Sequence, residues 1–151
     1  MRFKTVADVL NVVKDFHEAL ARQFGELEQL TTSERAQLML DYLNRHQHHL
    51  AEVMEQYEDD AATGLLNTWL QYTPDVHPET LVAKVHDVDL DDVNSVVVVA
   101  LEADDYLVSL YREVADHTDS DAVKTLFNNL IRLVDNERHS VSRAAFRLSD
   151  I

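Results

Sequence analysis

The sequence contains no cysteine, only two glycines and only two prolines among its 151 residues. The absence of cysteine excludes disulfide bonds, thiolate metal ligands and a cysteine nucleophile. Because turns and hairpins depend on glycine and proline, the scarcity of both argues against a fold rich in β-sheet. The composition therefore favours an all-α protein built from long helices.

Long apolar runs are missing as well. No segment approaches the roughly 20 apolar residues that a membrane-spanning helix needs, and residues 1–6 do not have the pattern of a signal peptide. The formal net charge of -15 repels phosphate backbones and anionic lipids. We therefore expect a cytoplasmic protein that binds neither nucleic acid nor membrane, and whose acidity promotes solubility.

Motifs of several common enzyme classes are also absent. The sequence has no glycine-rich phosphate loop, no His-Glu-x-x-His zinc motif and no nucleophile elbow. The acidic clusters at residues 58–60 and 89–92 do not have the spacing of a calcium-binding EF-hand. The sequence therefore assigns no catalytic residue, no organic cofactor and no small-molecule substrate, and it leaves open whether the protein is an enzyme.

Four stretches have the hydrophobic period of a helix with one buried face. Their apolar residues recur at alternating steps of three and four, which predicts helices over about residues 5–30, 32–58, 91–117 and 119–149. The valine run at residues 96–99 would by itself suggest a strand, but its continuation at helical spacing indicates a helix.

Polar residues at the expected starts support these helices. Thr5 and Thr31 are each followed three residues later by an acidic residue, as in a capping box. Asp91 or Asp92 opens the third predicted helix, and residues 118–121 supply caps for the fourth. Each helix therefore has a local start signal.

The connections predict how the helices pair. Only a few residues separate helices one and two, and helices three and four, so each pair should form an antiparallel hairpin. A crossover at about residues 59–90 joins the hairpins, and we expect one or two short helices in it, since a structureless loop of this length is uncommon. Pro78 suits the first turn of the second short helix, while Trp69 and Leu70 should cover an end or side of the bundle. We expect residues 1–151 to form a single four-helix-bundle domain.

Ionisable residues interrupt the apolar stripe of every predicted helix near its midpoint. They are His17 on the first, His46 and His49 on the second, Asp104 on the third and Glu137 on the fourth. In an antiparallel bundle these midpoints fall at one height, and buried charges need a partner or a metal ion. Three imidazoles and two carboxylates suit Fe, Mn or Zn better than Ca or Mg. The sequence thus predicts a metal-binding or proton-transferring layer, with a metal-free hydrogen-bonded network as the alternative.

Several neighbouring polar residues fit a peripheral position better. Glu18, Glu102 and Asp105 adjoin the core stripe, where they can be ligands or support for ligands, but a solvated face explains them more simply. His48 and His139 are displaced sideways by their helical phase. We expect both histidines outside the site.

The second hairpin, at residues 100–105, 110–115 and 126–130, and the segment 38–49 of the first resemble the ferritin-like superfamily of the rubrerythrin kind. The resemblance covers nearly the whole chain and implies a ferritin-like four-helix bundle with inward His and carboxylate ligands.

The resemblance also assigns positions. It places His49 on the family's ligand histidine and His46 on the glutamate of the family's Glu-x-x-His motif. His17 and Asp104 stand near the single glutamates of helices one and three, and Glu137 stands where a second histidine is usual. The family's diiron site uses four carboxylates and two histidines, whereas this chain offers two carboxylates and three histidines. A mononuclear site, a different metal and no metal all remain open.

Two further functions compete with a metal site of this kind. A metal-free ferritin-like bundle can act as an interaction or dimerisation module, its polar layer serving specificity. A hemerythrin-like oxygen or metal binder is suggested by residues 15–18 and by His48 with Glu52, although the third and fourth predicted helices contain only His117 and His139. Whichever of these functions holds, a homodimer is the expected assembly, since the crossover carries exposed apolar residues and such bundles commonly pair.

Overall fold

The computed structural model describes residues 5–70 and 77–149, and these residues form an all-α structure. Their six helices are α1 (Val6–Leu30), α2 (Glu34–Asp60), α3 (Thr63–Leu66), α4 (Pro78–His86), α5 (Val93–Asp116) and α6 (Asp121–Leu148). The predicted all-α class and the four long helices are therefore confirmed. Residues 1–4, 71–76 and 150–151 of the predicted domain and crossover lie outside the described residues.

Polar side chains cap the long helices. Thr5 and Asp8 form the expected capping box at the start of α1, and Asp92 caps α5. The predicted cap of α2 is wrong: Ser33, not Thr31, accepts from the backbone N–H of Ala36. Thr31 instead donates from its hydroxyl to the backbone carbonyl of Leu90, at 2.7 Å. This bond ties the α1–α2 turn to the chain entering α5.

The long helices pack as two hairpins. Helix α1 packs along α2 and α5 packs along α6, while α2 also contacts α5 and α6 and so joins the pairs. Gly25 lets α1 and α2 approach closely, since an added Cβ would lie 2.9 Å from the side-chain nitrogen of Asn44. That nitrogen donates to the carbonyl of Ala21 at 2.6 Å.

The described part of the crossover contains two short helices, as expected. Pro78 occupies the first turn of α4, which lies against both α1 and α5. Leu70 packs on the core, but the prediction for Trp69 is wrong, because its side chain is 70% exposed. Its backbone instead forms an isolated antiparallel bridge with Thr5. Trp69 is therefore held by main-chain pairing and not by burial of its ring.

The core runs through both hairpins and contains few polar groups. His17, Gln47, Asp104 and Thr118 are the buried polar residues among those described. No helix in the described part of the chain is long and apolar enough to cross a membrane.

Candidate functional site

His17 lies on the buried face of α1 and is held by a side chain from α2. Its Nδ1 is 2.6 Å from Oε1 of Gln47, and because an amide oxygen only accepts, Nδ1 donates. Burial lowers the pKa of His17 to about 4, an effect that the Gln47 hydrogen bond opposes and nearby His46 reinforces. The imidazole is therefore neutral near pH 7, with the lone pair of Nε2 free to accept a proton or bind a metal.

His46 and Glu137 join the two hairpins. The Nε2 atom of His46, on α2, contacts Oε2 of Glu137, on α6, and the two side chains are 15% and 13% exposed. Burial lowers the pKa of His46 to about 4, and burial likewise raises the pKa of Glu137. Burial thus disfavours the charged form of both groups. A nitrogen and an oxygen that face each other from two helices can both serve as ligands of a metal ion.

Asp104 brings a buried carboxyl from α5. Its side chain is 3% exposed, and within the described part of the chain nothing hydrogen-bonds to it. Burial raises the pKa of Asp104 to about 7; the charge of Arg138 opposes this rise, while those of Glu137 and Asp105 add to it. Arg138 itself pairs with Asp105, Nη1 to Oδ1 at 2.6 Å. Asp104 is thus a carboxyl whose desolvation no direct partner offsets.

The predicted position of His49 in the core is wrong. The residue is exposed, although it lies near enough to His46 and Glu137 for its charge to affect the pKa of each. His48 and His139 are exposed, as expected. The second helix therefore presents one histidine to the core layer and not two.

Gln47 was not predicted as a core residue. The buried face of α2 reads Ala36, Leu40, Leu43, Gln47, Leu50 and Met54, and these steps of four and three were the available signal. The prediction instead placed the adjacent stripe of Tyr42, His46 and His49 toward the core. That stripe has its own role, because the ring of Tyr42 stacks on His46 with centroids 5.2 Å apart and planes at 16°.

Of the other neighbours of the core stripe, Glu102 and Asp105 are exposed and Glu18 is partly exposed. This agrees with a solvated face. Across residues 5–70 and 77–149, no three His, Asp or Glu side chains stand in a group arranged to hold a metal ion. The structure therefore forms two pairs, His17 with Gln47 and His46 with Glu137. Asp104 lies close enough to Glu137 for their charges to interact.

Comparisons with protein-family models, curated proteins and solved structures found no match. The ferritin-like resemblance consequently rests on the residue pattern and on the pairing of the helices.

Proposed function

We propose that the protein is a ferritin-like bundle that binds one divalent transition-metal ion, Fe, Mn or Zn, at the polar layer between its hairpins. The observation that carries the proposal is the contact between His46 and Glu137. It pairs an imidazole with a carboxylate from two different helices inside a largely apolar bundle.

The residues around this contact supply a suitable donor set. Asp104 and Glu137 interact electrostatically, as do His17 and His46, so each long helix contributes one candidate ligand. A mixed imidazole and carboxylate set is typical of sites for Zn, Mn or Fe, and hard Ca²⁺ or Mg²⁺ would prefer oxygen ligands alone. His46 and Glu137 would hold the ion first, and Asp104 would add negative charge.

Supporting side chains would tune this site. Gln47 fixes the ring of His17 through Nδ1, which leaves Nε2 as its donor atom. Tyr42 covers one face of the His46 ring and so limits access of water. When bound, the ion would supply a positive charge between His46 and Glu137.

A metal-free interaction module is the second candidate. It is favoured by the absence of a preassembled three-ligand group within the described residues and by the exposed side chain of Phe146. The hemerythrin-like alternative has less support, because His48 and Glu52 both lie on the surface.

Elemental analysis of protein purified without a histidine tag or chelator separates the two candidates. We expect about one equivalent of metal, present as isolated or after reconstitution with Fe²⁺, Mn²⁺ or Zn²⁺. The variants His46→Ala and Glu137→Gln should each lose it. His48→Ala and Glu113→Gln, which alter exposed residues of α2 and α5, are the matched controls and should retain it.

Two results would contradict the metal site. One is an absence of metal both before and after reconstitution, which would leave the interaction module. The other is metal retained equally by all four variants, which would place it on the surface. Circular dichroism of each variant checks that lost binding is not lost folding.

A further inference from the structure

The outward face of α6 carries an exposed stripe that its own hairpin does not cover. Its members recur at steps of three and four and are all exposed: Arg132, Asp135, Asn136, His139, Ser142, Arg143 and Phe146. Phe146 is the most exposed large apolar side chain among the described residues, at 74%. Such a stripe has the spacing of a helix–helix contact surface.

A shallow groove marks the same face. It encloses about 420 Å³ and is lined by His139, Ser142, Arg143, Phe146 and Arg147, all from α6. The guanidinium of Arg143 donates to Ser140 Oγ at 3.2 Å, yet its side chain remains exposed. The groove therefore offers an aromatic ring beside cationic groups to an incoming side chain.

When the stripe is placed antiparallel to the same stripe of a second copy, the side chains that face each other are complementary. Arg132 and Phe146 lie seven positions before and after His139, and Asp135 and Arg143 lie four positions before and after it. We propose that α6 pairs with α6 of a second copy of this chain, antiparallel, around a two-fold axis near His139. Opposite charges and a cation–aromatic pair then face each other across the axis.

The contacts of this pairing follow from the spacing. Asp135 of one copy faces Arg143 of the other, and Arg132 faces Phe146, each contact occurring twice. Within one chain, Asp135 and Arg143 lie eight residues apart, about 12 Å along the helix, so they do not pair internally. Arg132 seated against Phe146 adds a cation–π contact in the groove. The charges thus select a copy of the same chain in this one orientation.

The interface is small, and its affinity should be modest. Between Arg132 and Phe146 the stripe extends about 21 Å. A single helix face of this length buries less than the roughly 800 Å² per partner of a standard interface. We expect dissociation in the micromolar range, which sedimentation velocity over a concentration series from about 5 to 500 μM would resolve. The full chain should pass from monomer to dimer in that range.

Charge exchange tests the pairing. Asp135→Arg should place a second guanidinium against Arg143, and Arg143→Asp should place a second carboxylate against Asp135. Each single change should weaken dimerisation at least tenfold. The double variant restores opposite charges in the reversed sense and should recover dimerisation to within about threefold of the natural chain. Glu113→Arg and Arg112→Asp, exposed on α5, are controls that should leave the dissociation constant unchanged.

Three outcomes would overturn the proposal. These are a chain that stays monomeric at 500 μM, a dimer that neither single change weakens, and a double variant no better than the single ones. Since none of these residues belongs to the metal layer, the metal content of the variants should stay unchanged. Failure of the dimer and failure of the metal site are therefore distinguishable.

Discussion

At the scale of single residues, the core layer is set by what each buried polar atom contacts. Gln47 is buried and accepts from His17, so its removal leaves a desolvated imidazole N–H without a partner. An unsatisfied buried donor costs about 1–3 kcal/mol. Gln47→Leu should therefore lower the free energy of unfolding by that amount in urea titrations. Gln56→Leu, on the exposed side of α2, should change it by less than about 0.5 kcal/mol; equal effects of the two substitutions would show that the hydrogen bond does not stabilise the fold.

Asp104 gives the layer a pH dependence of defined sign. Its pKa rises from 3.8 to about 7 on folding, so in chelator-treated protein the folded state holds a proton that the unfolded state has lost. The contribution to stability is complete below about pH 4 and is lost as the pH rises through 7, at about 1.4 kcal/mol for each pKa unit.

In the variant Asp104→Asn the side chain at this position cannot ionise, so the free energy of unfolding should lack this pH dependence. In EDTA we expect the variant to be more stable than the natural chain at pH 8, by a few kcal/mol at about 1.4 kcal/mol for each pKa unit. At pH 4 the two should be similarly stable. Urea unfolding across this range measures the difference. Asp116→Asn, an exposed position near the end of α5, should follow the natural chain. A stability difference for Asp104→Asn that does not vary with pH would refute the assignment.

At the scale of helices, the valine run at residues 96–99 is helical within α5, although these residue types favour strands. Val96 is fully buried, whereas Val98 is 53% exposed. Val96→Ala should therefore lower the free energy of unfolding by about 2 kcal/mol through lost burial and packing. Val98→Ala should leave it unchanged or raise it by up to about 0.5 kcal/mol, since alanine has the higher helix propensity. Thermal or urea unfolding compares the two, and a reversed order would contradict the burial pattern of α5.

Periodicity predicted the long helices well because each buries one continuous face, as the stripes of α1 and α6 do. It was less informative for α2, which packs against α1, α5 and α6. Two adjacent stripes of that helix are therefore at least partly covered, and the sequence alone did not show that Gln47, and not His49, faces the core.

The cap of α2 was misplaced for a similar reason. Thr31 has the local pattern of a cap, but its hydroxyl bonds to Leu90 and Asp91, which lie about 60 residues further along the chain. Tertiary contacts of this kind leave no local signal. Of the five predicted site residues, the structure buries His17 and Asp104 and brings His46 and Glu137 together, while His49 lies at the surface.

At the scale of the whole molecule, the candidate metal layer lies where the two hairpins meet. The His46–Glu137 contact links α2 of one hairpin to α6 of the other. A metal ion bound there would bridge the hairpins, and because the layer is assembled only in the folded chain, binding would stabilise the fold as a unit. A metal ion on the acidic surface would not depend on these two side chains.

The most direct test is the free energy of unfolding of chelator-treated protein with and without Zn²⁺, for the natural chain and for Glu137→Gln. With free Zn²⁺ at 100 times its measured dissociation constant, we predict an increase of about 2.7 kcal/mol for the natural chain and none for the variant. No increase in the natural chain, or the same increase in both, would contradict a metal site between the hairpins.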